Sequence, residues 1–277
     1  MKIISRLEHM SVLDRLVGPG QKLASRIPPG RFRDLLHGVR LGHPVHPPLV
    51  QVPIGAWLCA TLIGLRTDGE RTARALTVLG LAGAAPAALA GLEDWSKQHE
   101  QQMRVGVVHA LANMLAIGSF GASLAMARPG ASRAARGAGL AALAASGLLG
   151  GHLSFRLAGG VNHAEAVPHL IEPGWHRLMP ASELDEGACV RAMLGEVPLV
   201  AVRRGDQVNV LADRCSHMSG SLAEGELAGA ELTCPWHGST FCLSDGSVVR
   251  GPATAPQPSF DSRIVGGTVE VRLPGAG

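Results

Sequence analysis

Two short segments, Cys215-Ser216-His217 and Cys234-Pro235-Trp236-His237-Gly238, each place one thiol beside one imidazole, and sixteen residues separate them. For such segments to act together the chain must double back, so this stretch has to fold into a body that presents two loops side by side. Its surroundings suit that. From Gly174 the pattern changes to short alternating apolar runs, as at Val197 to Val202, Val208 to Ala212 and Thr268 to Leu273. The turn pairs Gly205-Asp206, Asp245-Gly246 and Gly266-Gly267 fall among them, and the whole predicts a small all-β domain over residues 174–277 with its own core. Two soft thiolates and two imidazoles suit a metal centre. A [2Fe-2S] cluster is one solution, its potential raised because neutral ligands replace anions. A Cys2His2 zinc site is a second, although zinc motifs usually pair like with like, and coincidental placement is a third.

The preceding chain is of another kind. Four apolar segments can be drawn, Leu49 to Leu65, Ala75 to Leu92, Val105 to Ala127 and Gly137 to Phe155, each bounded by arginine or acidic residues. Their lengths suit a bilayer core crossed at about 1.5 Å per residue, which predicts a four-span transmembrane helical domain over residues 48–158. The second and fourth are rich in Ala and Gly, and a soluble bundle is the alternative. Aromatics make up 3% of the chain and Tyr is absent, so the helices are expected to pack tightly through small residues such as Gly147 and Gly151, without an aromatic belt.

Four spans would put both termini on one side. Arg66, Arg71, Arg74, Arg128, Arg133 and Arg136 fall in the loops of one face, and Lys97, Arg104 and Arg156 on the other. The balance favours cytoplasmic termini once the N-terminal arm is counted. No twin-arginine pair or unbroken apolar leader opens the sequence, which points the same way. The expectation is a multi-pass protein of the cell membrane with its C-terminal domain in the cytoplasm.

Residues 1–47 carry eight Lys/Arg against three acids, whereas residues 159–277 carry eight against fourteen. A basic arm before an apolar region suggests contact with anionic membrane lipid, and the acidic C-terminal third argues against nucleic acid. Within the arm, Ile3, Leu7, Met10, Leu13 and Leu16 predict a short amphipathic helix broken at Gly18-Pro19-Gly20. Residues 159–173 read as a linker.

The Cys-x-His, sixteen residues, Cys-Pro-Trp-His-Gly pattern resembles the Rieske [2Fe-2S] domains. The resemblance extends from about Trp175 to Val271 and takes in Leu222 to Gly225, Phe241 with Asp245-Gly246, and Gly251-Pro252-Ala253 as a third loop over the cluster. It implies that Cys215 and Cys234 hold one iron, and His217 and His237 the other. High-potential members of the family carry an extra cysteine in each ligand loop, joined in a disulfide; Gly220 and Trp236 stand there instead. Ser239 keeps the hydroxyl that can donate to a cluster sulfide, but Phe241 replaces a tyrosine. Fewer hydrogen bonds to cluster sulfur lower the potential, which implies a ferredoxin-type centre. The N-terminal region, through His43-Pro44-Val45-His46-Pro47 leading into Leu49 to Ala56 with Pro53, resembles a four-helix bacterial membrane domain of uncharacterised function.

These readings combine into a membrane-anchored one-electron carrier working between a soluble reductase or ferredoxin and a membrane acceptor. Two alternatives are a redox sensor coupling cluster state to the membrane domain and an electron-supplying component of an oxygenase system. A self-contained Rieske oxygenase would need a mononuclear iron site of two histidines and a carboxylate, and the 40 residues after His237 contain no histidine. His43, His46, His109 and His152 fall at one end of the drawn spans, with His109 four residues into the third. Polar groups at such depth are costly and usually functional, which marks them as a second candidate site for a haem, a metal or a quinone, with bis-imidazole ligation by His109 and His152 its sharpest form; the alternative is that these histidines cap helix ends with hydrogen bonds to carbonyls. Cys59, Cys189 and Cys242 read as packing residues.

Overall fold

The computed structural model describes residues 2–275. They form two compact units, the first made of the chain up to Pro29 with Pro44–Gly160, the second of Gly30–His43 with the chain from Val161 onward.

In the first unit, α1 (Lys2–Leu7) and a 3-10 turn at Ser11–Leu13 lead into α2 (Asp14–Ala24). The expected break at Gly18-Pro19-Gly20 does not occur, and Pro19 lies inside α2. Packing overrides the local penalty: Val17 is buried with Met103 and Val107, and a Cβ on Gly20 would come within 2.6 Å of the Trp95 ring. Further along, and after α3 (Arg31–His37) of the second unit, come α4 (His46–Leu49), α5 (Gln51–Ile63), α6 (Glu70–Trp95), α7 (Glu100–Ala125) and α8 (Pro129–Gly151). A single π-helical turn, His152–Arg156, extends α8.

Three helices, Glu70–Trp95, Glu100–Ala125 and Pro129–Arg156, are long and apolar enough to cross a membrane. The first expected span is not. Pro47 and Pro48 begin α4, Val50 separates it from α5, and Pro53 removes a further backbone donor near the start of α5, leaving a helix of 13 residues. The four-span expectation, and the parity argument built on it, therefore lack their fourth full-length helix. Arg133 and Arg136, expected in a loop, lie within α8, because Pro129 starts that helix early. Arg136 is fully buried and pairs with Glu70 at 2.7 Å, and Arg133 donates to the Gly64 carbonyl at 2.8 Å.

Small residues do bring these helices together, but not the pair expected. Trp57 of α5 stacks on Phe120 of α7 with ring centroids 4.6 Å apart. Gly80 of α6 and Gly139 of α8 make room for those rings, since a Cβ would stand 2.2 Å from Trp57 and 2.7 Å from Phe120. Gly147 meets nothing within 4 Å, and Gly151 only Phe155 at 4.0 Å.

The second unit is built on two antiparallel sheets. Strands β1 (His176–Pro180), β2 (Cys189–Leu194), β3 (Val197–Arg204), β4 (Gln207–Ala212), β9 (Ser259–Val265) and β10 (Thr268–Arg272) form a six-stranded sheet in the order β1-β10-β9-β4-β3-β2. Strands β5 (Glu226–Ala228), β6 (Glu231–Thr233), β7 (Thr240–Cys242) and β8 (Val248–Arg250) form a four-stranded one. All three expected turn pairs lie in hairpin connections, Gly205-Asp206 between β3 and β4, Asp245-Gly246 between β7 and β8, and Gly266-Gly267 between β9 and β10, where both glycines have positive φ. Alternation along β3 and β4 sends Leu199, Ala201 and Val210 into one core and Val200, Val202 and Leu211 into the other. The expected linker is packed rather than free: Ala164, Val167 and Ile171 are buried, the latter two in the first of these cores.

Gly80→Ala should destabilise the helical unit by about 1–3 kcal/mol, the usual cost of overpacking, and Gly147→Ala should leave it unchanged or slightly firmer. Thermal unfolding of the detergent-purified chain, followed by helical circular dichroism, checks this; equal effects of the two substitutions would contradict the packing.

Candidate metal centre

Two loops at the end of the second core repeat one backbone frame. In the first, between β4 and β5, the Cys215 carbonyl accepts from Ser219 N–H at 2.8 Å and Cys215 N–H donates to the Gly220 carbonyl at 2.8 Å. In the second, between β6 and β7, the Cys234 carbonyl accepts from Gly238 N–H at 3.1 Å and Cys234 N–H donates to the Ser239 carbonyl at 2.8 Å. The fourth residue after each cysteine has a left-handed backbone, Ser219 at φ 62° and Gly238 at φ 79°, which glycine adopts freely and serine at a cost of roughly 1–2 kcal/mol. Each sulfur accepts hydrogen bonds from the backbone N–H groups two and three residues on, Cys215 from His217 and Met218, Cys234 from Trp236 and His237.

This frame turns the thiols inward and the imidazoles outward. Cys215 and Cys234 are buried within the second core, among Leu222, Leu232 and Phe241. The sulfurs face each other, and Cys215 donates to Cys234. That hydrogen bond and burial hold the Cys215 thiol above its ordinary range, whereas Cys234, as the acceptor, is drawn down to about 7. The His217 and His237 rings lie edge to face with centroids 5.0 Å apart and are half-exposed.

The first ligand loop is braced from residues that the motif does not contain. Asp213, fully buried, accepts from Arg191 Nε at 2.8 Å, Ser221 Oγ at 3.1 Å and Ala223 N–H at 2.6 Å, which ties the start of the first loop to its end. Gln257, also buried, accepts from Ser216 N–H at 3.0 Å and donates to the carbonyls of Ala212 at 2.6 Å and Arg214 at 2.7 Å. His163 N–H donates to the Ser216 carbonyl at 2.9 Å. Sequence patterning missed these residues. Asp213 had a weak signal, an acid two positions before the first cysteine, whereas Gln257 had none.

Where high-potential members carry a disulfide, the loops meet through Trp236 and Gly220. A Cβ on Gly220 would stand 2.9 Å from the indole and 3.0 Å from Cys234 Sγ. All five cysteines are free.

The donor set fits a two-metal cluster better than a single ion. The donors come as a buried thiol pair and a half-exposed imidazole pair. Ser239 supplies a second sign. It is fully buried, its oxygen accepts from Ala253 N–H at 2.9 Å, and its own proton has no acceptor among the described residues.

Residues 174–261 match the Rieske [2Fe-2S] domain family, and the chain belongs to it. Its centre is a [2Fe-2S] cluster. The chain is similar to Ferredoxin CarAc of Metapseudomonas resinovorans, 35% identical over 98 residues, which is 35% of this chain and 92% of that protein. It is also similar to the 3-phenylpropionate/cinnamic acid dioxygenase ferredoxin subunit of Escherichia coli (strain K12), 33% identical over 99 residues, 35% of this chain and 92% of that protein. Among solved structures it resembles a chain in the complex of reduced oxygenase and oxidized ferredoxin in carbazole 1,9a-dioxygenase, with 34% identity, a TM-score of 0.33, and 35% of this chain and 92% of that chain covered. The expected likeness of the N-terminal region to a four-helix membrane domain has no counterpart in these matches.

The four histidines of the second candidate site do not form the arrangement expected. His43 belongs to the second unit and the other three to the first. His46 and His109 approach with ring centroids 6.4 Å apart, but each ring is anchored elsewhere. His46 Nδ1 bonds the Ala87 carbonyl at 2.8 Å and His109 Nδ1 the Ser146 carbonyl at 2.9 Å, while Asn113 donates to His109 Nε2 at 3.1 Å. His152 Nε2 pairs with Glu8 at 2.9 Å. His46 and His109 thus bond carbonyls of other helices, and His152 bonds a carboxylate. Because α7 begins at Glu100, His109 lies nine residues in, about 14 Å along the helix.

Cys215→Ser and His237→Ala should each remove most of the bound iron and acid-labile sulfide while the helical signal persists, since metal binding and local folding are coupled. Metal analysis with circular dichroism of the purified full chain is the check; a full complement of iron in either variant would rule out these ligands.

Proposed function

We propose that this chain is a membrane-anchored Rieske-type ferredoxin in which Cys215 and Cys234 hold one iron of the cluster, and His217 and His237 the other. When bound, the [2Fe-2S] group supplies reversible one-electron chemistry. The protein's own residues do the rest. The two thiols and four N–H donors enclose the sulfur side in a dry core, where a negative charge is held by dipoles that need not reorganise. The imidazoles leave one edge at the surface, beside Trp236, which is 51% exposed, and this edge is where an electron enters and leaves.

The observation that carries this reading is the twin loop frame with thiols buried and imidazoles outward, on a domain similar to Ferredoxin CarAc and to a dioxygenase ferredoxin subunit, each matched over 92% of that protein's own length. The absence of a cysteine pair at Gly220 and Trp236, and Phe241 in place of a tyrosine, support a potential in the ferredoxin range. A reductase upstream and an oxygenase-type acceptor downstream are the partners that suit such a carrier. The three span-length helices favour a membrane position, and with it a second reading in which the acceptor is itself in or on the membrane. Neither reading makes the chain an oxygenase by itself.

Two outcomes are expected. The full chain sediments with membranes and is extracted by detergent but not by high salt or alkaline carbonate, and a reporter fused after Gly277 is active in the cytoplasm. The purified chain is reduced by a ferredoxin reductase and reoxidised by an oxygenase component in stoichiometric single-electron steps. Release by carbonate would overturn the anchoring, and failure to accept an electron from any reductase of ferredoxin type would overturn the carrier role.

A further inference from the structure

The segment Gly30–His43 precedes the long helices in sequence but packs into the β unit. Its helix α3 carries Asp34, whose Oδ1 accepts a hydrogen bond from Gly251 N–H at 3.0 Å. One turn later His37 is buried against the same glycine. Gly38, at φ 84°, ends the helix and turns the chain so that Val39 reaches it as well. A Cβ on Gly251 would stand 3.1 Å from Val39 Cγ2 and 3.2 Å from His37 Cδ2. Three side chains of this segment thus converge on one backbone position.

That position opens the third loop. Gly251, Pro252 and Ala253 are all buried, and Ala253 N–H donates to Ser239 Oγ at 2.9 Å. The Ser239 carbonyl in turn receives Cys234 N–H and closes the second ligand loop. A hydroxyl oxygen that accepts from a fixed N–H has its own proton constrained to the remaining directions, and Ser239 has no protein acceptor for that proton among the described residues.

We propose that Asp34 is a positioning residue for the metal centre. By fixing Gly251 it sets the third loop, and through Ala253 it sets the direction in which Ser239 offers its O–H to the sulfur of the cluster. A donor aimed at cluster sulfur favours the reduced form, so the segment raises the reduction potential without touching the cluster. This inference rests on the ligand assignment above.

The test compares Asp34→Ala with Asp34→Asn in the full, cluster-loaded chain. Asparagine removes the charge but keeps an oxygen able to accept from Gly251, whereas alanine loses both, so the difference between them reports position rather than charge. Redox titration monitored by EPR should place Asp34→Ala below Asp34→Asn, with the reduced-to-oxidised ratio at a fixed potential several-fold smaller. That difference should vanish when both are made in a Ser239→Ala background. Gly251→Ala, which pushes the segment away from the other side, should lower the potential in the same direction and covers the case in which Asp34→Ala fails to load. Equal potentials for the two Asp34 variants, or a difference that survives Ser239→Ala, would overturn the proposal. A wild-type chain without a cluster would instead overturn the ligand assignment.

Discussion

The site depends on a backbone hydrogen-bond frame rather than on the ligands themselves. A cysteine whose carbonyl accepts from the fourth residue on, and whose N–H donates to the fifth, is held with its sulfur under the N–H groups of the intervening turn. Two copies of this frame, brought together by the β5–β6 hairpin that lies between them in the chain, put two sulfurs face to face in an apolar core. The histidine falls two residues after the cysteine in one loop and three in the other, yet both rings reach the surface edge because the turns that carry them are closed in the same way. Asp213 and Gln257 brace the first of these turns: Gln257 satisfies three backbone groups that would otherwise be buried unpaired, and Asp213 joins Arg191 and Ser221 to the backbone of Ala223.

The helical unit follows another economy. With few aromatics, it packs rings onto glycines: the stacked pair Trp57 on Phe120 sits on Gly80 and Gly139, and Trp95 on Gly20 and Gly106. Its fully buried Arg136 is paired with the partly exposed Glu70. Such a pair inside an Ala/Gly-rich bundle contributes little net stability but fixes which helices are neighbours, because one partner left alone would be strongly unfavourable.

The centre was legible in the sequence because its chemistry is written as spacing: two Cys/His segments and the Gly238, Ser239 and Phe241 positions that follow them. The β domain was legible for the same reason, since Gly205-Asp206 and Gly266-Gly267 are turns that dictate their own hairpins. What could not be read were interactions that join distant parts of the chain. Asp34 meets Gly251 across 217 positions, and nothing local to either residue signals it. The first apolar segment misled because hydropathy does not register what Pro47, Pro48 and Pro53 do to a helix. Pro19 misled in the opposite sense, because tertiary packing of Val17 and Gly20 outweighs the lost backbone bond. Gly147 and Gly151 had the right spacing on the wrong face, a distinction that spacing alone cannot make.

In the proposed centre one iron is held by two thiolates and the other by two imidazoles. Pulsed EPR of the reduced, detergent-purified chain addresses it directly, because nitrogen ligands couple magnetically to the reduced iron. The account predicts strong hyperfine couplings from two inequivalent histidine nitrogens, both lost together with the cluster when either loop is broken. A reduced cluster showing no directly coordinated nitrogen, or purified protein holding zinc in place of iron and sulfide, would contradict it.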